Sequence, residues 1–339
     1  MKIERENLIN VLESVLPGVS PQDVVEQSSC VVFNDDQVVT FNDEIACTMA
    51  LPDGFKLTGA VVAQPLIDLL RKMPDEVIDV TLGDSGDLLL IKGKGRKGEL
   101  RMESEILLPI GGVDTPDKWA KIDPHFIEAM DIAYNCTDTS KDASFMLKCV
   151  HVTPDHVEAC DNFQLLRYPV KTGVNTKTLI RRDSVKFIKT MDVVELGETQ
   201  TWMHFKTARG LVLSCRRYPD EYPNLSDMLI ADETSPVDLP PGLAEAVVRA
   251  EVFSSEDADN NEVTIRLKQN MVEVRGDGAT GKFTERKKIK YNGPAVVFRM
   301  SPSLLCSLIE RHHEAEVSDT RMVVDNGKFR YVTCLGEVN

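Results

Sequence analysis

Two stretches of the sequence share one short pattern, Phe126-Ile127-Glu128-Ala129-Met130 and Leu243-Ala244-Glu245-Ala246-Val247. Each stretch places apolar residues at helical spacing, and each follows a proline (Pro124 or Pro241) that suits an early helical position. A third stretch near the N-terminus has apolar residues at similar spacing: Leu8, Ile9, Leu12 and Val15. Together they predict a helix that recurs along the chain with a period of roughly 115 residues.

A second helical stretch follows in each third of the chain. The predicted second helices are Gln64 to Met73, Arg182 to Met191 and Pro302 to His312. Alternating or β-branched residues predict strands between and after the helices, for example at Cys30 to Phe33, Phe145 to Leu147 and Glu262 to Leu267. Each third therefore has the order helix, strands, helix, strands. This order predicts an α+β protein made of three tandem copies of one unit, with two helices on antiparallel sheet.

Segments rich in Pro, Asp and Gly separate the thirds, at Ile110 to Lys118 and at Ala231 to Gly242. A chain of 339 residues has room for two or three domains. We therefore predict three domains, residues 1–115, 116–235 and 236–339.

The charge balance limits the kind of partner. The sequence has 39 basic and 54 acidic residues, a formal net charge of −15. Such a protein does not coat nucleic acid by bulk attraction, but it can still meet DNA through one local basic surface.

The apolar runs are too short to cross a bilayer, and the charged N-terminus, Met1 to Glu6, lacks the apolar stretch of a signal peptide. We predict a cytoplasmic protein with no membrane partner. The eight cysteines contain no CxxC pair, which favours free thiols and argues against a zinc site.

No catalytic constellation is present, since the sequence contains no GxSxG, HExxH or P-loop string. We predict no enzyme activity, no catalytic residue, no metal and no cofactor. The run Lys92 to Gly98 matches GxGxxG by letter, but a nucleotide site needs a helix next, and Glu99 to Glu103 alternates like a strand. We interpret the run as a hairpin tip; a nucleotide-binding enzyme is the alternative that depends on it.

The second helix of the middle third carries a stripe of cations. Arg182, Lys186 and Lys189 lie at i, i+4 and i+7, and Arg181 adds a charge at the start. In so acidic a protein this local excess indicates a surface for a polyanion. The alternative is a solvated helix face that binds nothing.

Several strings, taken in order, resemble the bacterial DNA polymerase III beta subunit, the sliding clamp. Leu66 to Pro74 resembles the family's second helix and the proline that stops it, and Tyr222-Pro223-Asn224 resembles its Phe-Pro-Asp-Tyr turn. Three further strings carry the resemblance: Phe41 to Ile45, Glu158 to Leu165, and Thr178 to Arg182. The chain departs from the family at Asn162-Phe163-Gln164, where the family has Gly-His-Arg, and at its C-terminus. The pattern therefore predicts a divergent clamp, from a bacterial cell or a phage.

The resemblance implies a ring formed by a head-to-tail homodimer around double-stranded DNA, without sequence specificity. It also implies a DNA polymerase that the ring tethers and a clamp loader that opens it. The predicted DNA-binding residues are Arg71, Lys72, Arg181, Arg182, Lys186, Lys189, Arg249 and Arg311. The alternative is a clamp-like interaction scaffold that does not encircle DNA.

The family binds short peptides of its polymerases in an apolar pocket between its second and third domains. By position, the matching residues are Met146, Cys160, Asn162, Phe163, Leu165 and Leu335. Phe163 stands where the family has a histidine, so a more apolar pocket is expected here. Ordinary core packing is the alternative for Met146 and Leu165.

Overall fold

The computed structural model describes residues 1–231, 233–254 and 262–336. The helices in these ranges are α1 (Arg5–Ser14), α2 (Ala63–Lys72), α3 (Pro124–Tyr134), α4 (Arg182–Ile188), α5 (Gly242–Glu251) and α6 (Pro302–Arg311). The strands are β1 (Lys2–Glu4), β2 (Cys30–Asp35), β3 (Gln37–Phe41), β4 (Ile45–Ala50), β5 (Leu57–Val62), β6 (Val77–Leu82), β7 (Leu88–Gly93), β8 (Arg96–Arg101), β9 (Ala120–Lys121), β10 (Cys149–Val152), β11 (His156–Cys160), β12 (Gln164–Pro169), β13 (Thr178–Arg181), β14 (Val193–Glu198), β15 (Trp202–Thr207), β16 (Val212–Arg216), β17 (Ser235–Asp238), β18 (Val263–Lys268), β19 (Met271–Gly278), β20 (Gly281–Lys288), β21 (Val296–Met300), β22 (Glu314–Val317), β23 (Arg321–Asp325) and β24 (Arg330–Cys334). The predicted α+β class is confirmed.

The helices pack in pairs, α1 with α2, α3 with α4 and α5 with α6. In α2 the apolar face, Leu66, Ile67 and Leu70, is buried, as the helical spacing of these residues predicts. Helix α4 ends at Ile188, three residues before the predicted end. The Thr190 hydroxyl donates back to the Phe187 carbonyl at 3.0 Å, and β14 starts soon after.

The chain forms two compact units. Unit 1 comprises residues 1–134, 149–155 and 170–220, and unit 2 comprises residues 135–148, 156–169 and 221–339, of which residues 232, 255–261 and 337–339 lie outside the described ranges. The division into three domains stays a prediction.

Unit 1 contains a four-stranded sheet, in the order β1-β6-β7-β8, and an eight-stranded sheet, in the order β5-β2-β3-β4-β16-β15-β14-β9. Strand β10 pairs with β13 in the same unit. The pairings are antiparallel, including the one between β4 and β16, which joins segments far apart in the sequence. Trp202 and Phe205 of β15 are fully buried in the core of this unit.

Unit 2 contains six strands in the order β11-β12-β24-β23-β22-β17 and a four-stranded sheet in the order β20-β19-β18-β21. The six-strand order repeats that of β3-β4-β16-β15-β14-β9 in unit 1, position by position. Fully buried Tyr291 and Phe298 belong to the core of unit 2. The matching orders agree with the repeat found in the sequence.

One predicted strand is wrong. Residues Phe145–Lys148 form a 3-10 turn, in which the Leu147 amide donates to the Ser144 carbonyl at 3.1 Å. Three consecutive apolar residues carry no period, so a strand cannot be told from a helical turn there.

The predicted hairpin at the glycine run is confirmed. Strands β7 and β8 pair up to Gly93 and Arg96, and Gly95 in the two-residue turn has a φ of 70°. Because a strand follows the glycines, no helix N-terminus is present to hold a pyrophosphate, which removes the basis of the nucleotide-binding alternative.

No helix within the described residues is both long and apolar enough to cross a bilayer. All eight cysteines are free thiols.

Candidate functional site

Helices α3 and α4 of unit 1 bring two predicted DNA-binding cations onto one aromatic ring. The guanidinium carbon of Arg182 lies 3.7 Å, and the Nζ of Lys189 4.1 Å, from the centre of the Tyr134 ring. Arg182 also donates to the Tyr134 carbonyl, and Lys189 forms an ion pair of 2.8 Å with Asp131. These contacts restrict two long side chains that are mobile when solvated.

The other two cations of α4 differ in their surroundings. Arg181 forms ion pairs with Glu44 at 3.1 Å and Asp183 at 3.3 Å. Lys186 is exposed, and no carboxylate of the described residues lies within ion-pair distance of it. Lys186 is therefore the cation of this face whose charge is least compensated.

On α2 of unit 1, the predicted residues Arg71 and Lys72 occupy the last turn of the helix. Arg71 forms an ion pair with Glu13 of α1 at 2.7 Å, and Lys72 is exposed. Cations at this end of a helix also interact favourably with its dipole, so their position has a structural reason as well.

In unit 2, Arg249 of α5 makes two hydrogen bonds to Glu285 of β20, at 2.8 and 3.0 Å. These hydrogen bonds lower the pKa of the Glu285 carboxyl. Arg311 is exposed in the last turn of α6. Of the two predicted DNA-binding cations in unit 2, Arg249 is therefore neutralised and Arg311 is exposed.

The structure groups the predicted cations by helix pair. Four lie on or beside α4 and two on α2, all in unit 1, whereas Arg249 and Arg311 lie in unit 2. Asp131 and Tyr134, at the end of α3, were not predicted from the sequence. Their i, i+3 spacing was visible, but their partners on α4 follow only from helix packing.

Unit 2 also contains an apolar groove of about 210 Å³. Its lining residues come from the 3-10 turn at residues 145–148, from β11, β12 and the turn between them, from β23 and β24, and from the segment after residue 220: Leu147, Cys160, Asp161, Asn162, Phe163, Gln164, Leu165, Pro223, Leu225, Met228, Arg321, Val332 and Cys334. Behind it, Leu165, Leu225 and Val332 belong to a buried cluster that fixes the floor.

The turn between β11 and β12 holds Phe163 in a defined position. One carboxylate oxygen of Asp161 accepts the amide N–H of Phe163 at 2.7 Å and that of Gln164 at 2.8 Å. The Phe163 carbonyl accepts the amide N–H of Cys334 at 2.7 Å. The backbone is therefore fixed on both sides, while the ring is 67% exposed. A rigid exposed aromatic is a favourable anchor for a partner, because little entropy is lost when it is covered.

Cys160 lies at the inner end of the groove, and its amide donates to the Tyr222 hydroxyl oxygen at 2.8 Å. The Tyr222 hydroxyl in turn donates to the Cys160 sulfur at 3.3 Å. Burial raises the pKa of the Cys160 thiol, so it stays protonated near neutral pH and acts as an apolar lining group.

Of the predicted pocket residues, Cys160, Asn162, Phe163 and Leu165 line the groove. Met146 and Leu335 do not, but their neighbours Leu147 and Cys334 do. The sequence analysis also missed Met228 and Arg321. No local pattern marks these two residues, since strand pairing and the path of the segment after residue 220 bring them to the groove.

A second cavity, of about 450 Å³, lies in unit 1 between strands β3, β4, β15 and β16 and the segment from Ile110 to Trp119. His204 of this cavity is 1% exposed, and its Nδ1 lies 2.7 Å from the Ser214 hydroxyl. Burial lowers the pKa of His204 to about 4, with a further decrease from Arg217 and an opposing effect from Asp114. The imidazole is therefore neutral at physiological pH.

An open hollow of about 540 Å³ in unit 2 bears several carboxylates. Its lining includes Asp238, Glu314, Glu316 and Asp325, with Lys290 among them. Lys290 lies 3.7 Å from Asp238, and Glu316 accepts the Thr234 hydroxyl at 2.6 Å. The lining of this hollow mixes five charged residues with apolar ones, whereas the groove is lined mainly by uncharged side chains, so the smaller groove is the better candidate for a peptide.

No protein-family model and no curated protein matches the sequence. Solved structures match it along the whole chain. The sliding clamp (DNA polymerase III subunit beta) of Bartonella birtlesii matches with a TM-score of 0.87 and 14% identity, over 100% of this chain and 99% of that one. The DNA polymerase III beta chain of Streptococcus pneumoniae matches with 0.85 and 14%, over 99% of both chains.

The DNA polymerase sliding clamp of Pseudomonas aeruginosa matches with a TM-score of 0.82 and 16% identity, over 100% of this chain and 99% of that one. The fold is therefore that of a full-length DNA clamp subunit. More particularly, it is the fold of the bacterial DNA polymerase III beta sliding clamps, and this prediction from the sequence is confirmed.

Proposed function

We propose that the protein is a DNA sliding clamp, a processivity factor that encircles duplex DNA and tethers a replicative DNA polymerase. The observation that supports this most is the match to bacterial sliding clamps over 99–100% of the chain. A likeness confined to one domain would leave a scaffold equally plausible. The absence of recognised catalytic strings in the sequence agrees with a protein that acts by topology.

The cations of α4 are the proposed main contacts to DNA. A sliding protein needs charges that face phosphates without reading bases. Arg182 and Lys189, ordered on Tyr134, and the exposed Lys186 meet this requirement. Because a closed ring cannot dissociate sideways, these contacts need only be weak. Arg71, Lys72, Arg181, Arg249 and Arg311 are the further proposed contacts.

The proposed ring consists of two chains arranged head to tail. Strand β8 is an outer edge of the four-stranded sheet in unit 1, and β20 is an outer edge of that in unit 2. Neither pairs on its other side with a strand of the described residues. We propose that β8 of one chain pairs with β20 of the other, because unpaired edges favour strand addition. Val248 and Val252, both exposed, lie on and just after α5, which packs on β20, and they extend this surface.

The groove of unit 2 is the proposed site for a short peptide of the polymerase. Tethering raises the local concentration of the polymerase at the primer end without any new contact to DNA. A clamp loader is a further proposed partner, since a closed ring must be opened before it can load. The cytoplasm of a bacterial or phage-infected cell is the proposed location.

Light scattering tests the ring first. We expect a mass near twice 37.8 kDa for the full chain. Val252→Asp should shift the mass toward the monomer, because it buries a charge in the proposed interface. Val24→Asp is the matched control, since Val24 is an exposed valine of unit 1 outside that surface. A stable monomer of the unchanged chain contradicts the dimeric ring.

Retention on DNA tests encirclement without a loader. A linear duplex is fixed to a bead at one end, the protein is added, and the free end is then blocked with streptavidin. We expect the protein to survive a high-salt wash only on blocked DNA, and to leave when the duplex is cut. Retention that does not depend on the block, or no retention at all, contradicts the proposal.

Lys186→Glu should weaken equilibrium binding to unblocked DNA and reduce its salt dependence, while retention on blocked DNA persists. Lys177→Glu makes the same charge change on an exposed residue outside α4 and serves as the control.

The alternative is a protein-interaction scaffold that does not encircle DNA. One observation favours it: Arg71, Lys189 and Arg249 are each paired with a carboxylate, which reduces the free positive charge. The blocked-end experiment separates the two functions, because a scaffold is not trapped by the block.

A further inference from the structure

Among the described residues that line the groove of unit 2, one is a cation, Arg321, at the start of β23. Its Nη1 donates to the backbone carbonyl of Ile230 at 2.7 Å and to that of Met228 at 3.4 Å. These bonds hold the guanidinium at the groove while leaving its Nη2 and Nε without a hydrogen bond to any described residue. Nor does any carboxylate of the described residues form an ion pair with it.

The one carboxylate that lines the groove in the described chain does not compensate this charge. Both oxygens of Asp161 are used within its own turn: Oδ1 accepts two amide N–H groups, and Oδ2 accepts the side-chain amide of Gln164 at 2.8 Å. Apart from Arg321 and Asp161, the lining side chains are uncharged: Leu147, Cys160, Asn162, Phe163, Gln164, Leu165, Pro223, Leu225, Met228, Val332 and Cys334. The charge that the groove offers to a ligand is therefore positive.

We propose that Arg321 makes the groove selective for peptides that carry a carboxylate, an Asp or Glu side chain, beside their apolar anchor. This inference rests on the proposed function of the groove as a peptide site and adds the chemistry of the peptide. A planar guanidinium with free donors binds a carboxylate through two parallel hydrogen bonds, a geometry that an amide or a lysine of the peptide cannot reproduce.

The net charge of the whole protein cannot be the source of this selectivity. With a net charge of −15, the protein repels an acidic peptide at long range, so a preference for acidic peptides cannot come from the overall field. It has to arise from a local, oriented contact. Arg321 provides one next to the leucine and valine floor that receives the anchor.

Selection from a peptide library tests the proposal on the full-length protein. The library fixes two adjacent leucines as anchors and randomises two residues on each side. We expect Asp or Glu to be enriched at one flanking position with the unchanged protein. The enrichment should disappear with Arg321→Gln and persist with Arg275→Gln, an exposed arginine of unit 2 outside the groove.

A peptide from that selection is then compared with its amide counterpart, Asp replaced by Asn or Glu by Gln, by fluorescence anisotropy. We expect the amide peptide to bind about tenfold more weakly to the unchanged protein, and equally with Arg321→Gln. Arg321→Lys, which keeps the charge but not the planar fork, should recover only part of the difference. The comparison between two peptides on one protein holds even if a variant loosens the segment around Ile230.

The outcomes test the role of Arg321 separately from the function of the groove as a peptide site. Peptides enriched for apolar anchors but without an acidic preference, or with a basic one, overturn the role of Arg321 and leave the groove as a peptide site. No enrichment of any peptide over the bare support overturns the groove itself and with it the proposed tethering of a polymerase.

Discussion

The turn between β3 and β4 in unit 1 and the turn between β11 and β12 in unit 2 have the same hydrogen bonds but opposite uses. In unit 1, Asn42 accepts the amides of Glu44 and Ile45 at 3.2 and 2.9 Å. In unit 2, Asp161 accepts those of Phe163 and Gln164 at 2.7 and 2.8 Å. In each turn the amide N–H of the first residue donates to the carbonyl of the fourth at 3.0 Å, from Asn42 to Ile45 and from Asp161 to Gln164. One turn has therefore been kept at equivalent places of the repeat.

The side chains of the two turns differ at every position, and the third residue shows the contrast in use most clearly. In unit 1 it is Glu44, whose carboxylate receives Arg181 at 3.1 Å and the Tyr218 hydroxyl at 2.5 Å. In unit 2 it is Phe163, whose ring is exposed above the groove. At this position, one turn is tied into its own unit through Glu44, and the other exposes Phe163, the proposed anchor for a partner.

The segments that precede β9 in unit 1 and β17 in unit 2 differ in the same sense. In unit 1, Ile106, Ile110 and Val113 pack on the cluster around Trp202, and the Trp202 indole donates to the Gly112 carbonyl at 3.1 Å. In unit 2, Leu225 and Leu229 are buried, but Met228 remains 43% exposed beside the groove. The segment before β17 therefore leaves part of the sheet of unit 2 uncovered, at the proposed peptide groove.

The largest expected effect comes from removing Trp202, on which the segment from Ile106 to Val113 packs in unit 1. Trp202→Ala removes a side chain that is 1% exposed, contacts Phe41 and carries the hydrogen bond to Gly112. We expect the free energy of unfolding to fall by about 3–5 kcal/mol, measured by urea denaturation. A loss below about 1 kcal/mol would show that the segment does not depend on this anchor.

Next in size is the loss of the exposed anchor in unit 2. Phe163→Ala should weaken binding of a groove peptide by about 10–100-fold, measured by anisotropy, and leave the unfolding free energy nearly unchanged because the ring is exposed. Phe145→Ala is the matched control, since Phe145 is also an exposed phenylalanine of unit 2 but does not line the groove. Equal losses for the two variants would refute the special role of Phe163.

Because His204 is buried in unit 1, we expect the stability of unit 1 to respond to pH differently from that of unit 2. The folded protein lowers the pKa of His204 from 6.5 to about 4, so the unfolded chain binds more protons between these values. Stability contributed by the neutral imidazole is therefore complete above about pH 6.5 and is lost as the pH falls toward 4, by about 3 kcal/mol. His204→Gln should remove this part of the pH dependence in urea titrations from pH 4 to 7. If the slope of the unfolding free energy against pH is the same in His204→Gln, another group causes the pH dependence.

Much of this architecture was predictable from the sequence, and the reasons are local. Helices such as α2 and α6 have a clear apolar period and a proline or cation at their ends, so their bounds were predicted to within about a residue. The α4 cations were predictable for the same reason, because one helix sets their spacing. The short apolar run at Phe145 to Leu147 had no period and was predicted wrongly.

The rest depends on contacts between distant parts of the chain. Arg321 and Met228 reach the groove from segments more than sixty residues away from Phe163, and Tyr134 meets Arg182 only because two helices pack. The sequence also did not predict that Glu44 and Phe163 occupy equivalent positions, because the two turns share hydrogen bonds but hardly any sequence.

The smallest expected effect concerns how the segment after residue 220 is fastened in unit 2. Tyr222→Phe removes the hydroxyl that accepts the Cys160 amide at 2.8 Å and leaves that buried donor without this partner. We expect a loss of about 1 kcal/mol in stability, well below that for Trp202→Ala, and faster hydrogen exchange of the Cys160 amide by nuclear magnetic resonance. Tyr218→Phe, the matched hydroxyl of unit 1 that donates to Glu44, should leave this exchange rate unchanged. If Tyr222→Phe instead costs as much as Trp202→Ala, the segment in unit 2 is fastened as firmly as the one in unit 1. The open groove would then owe its form to Phe163 and the turn alone.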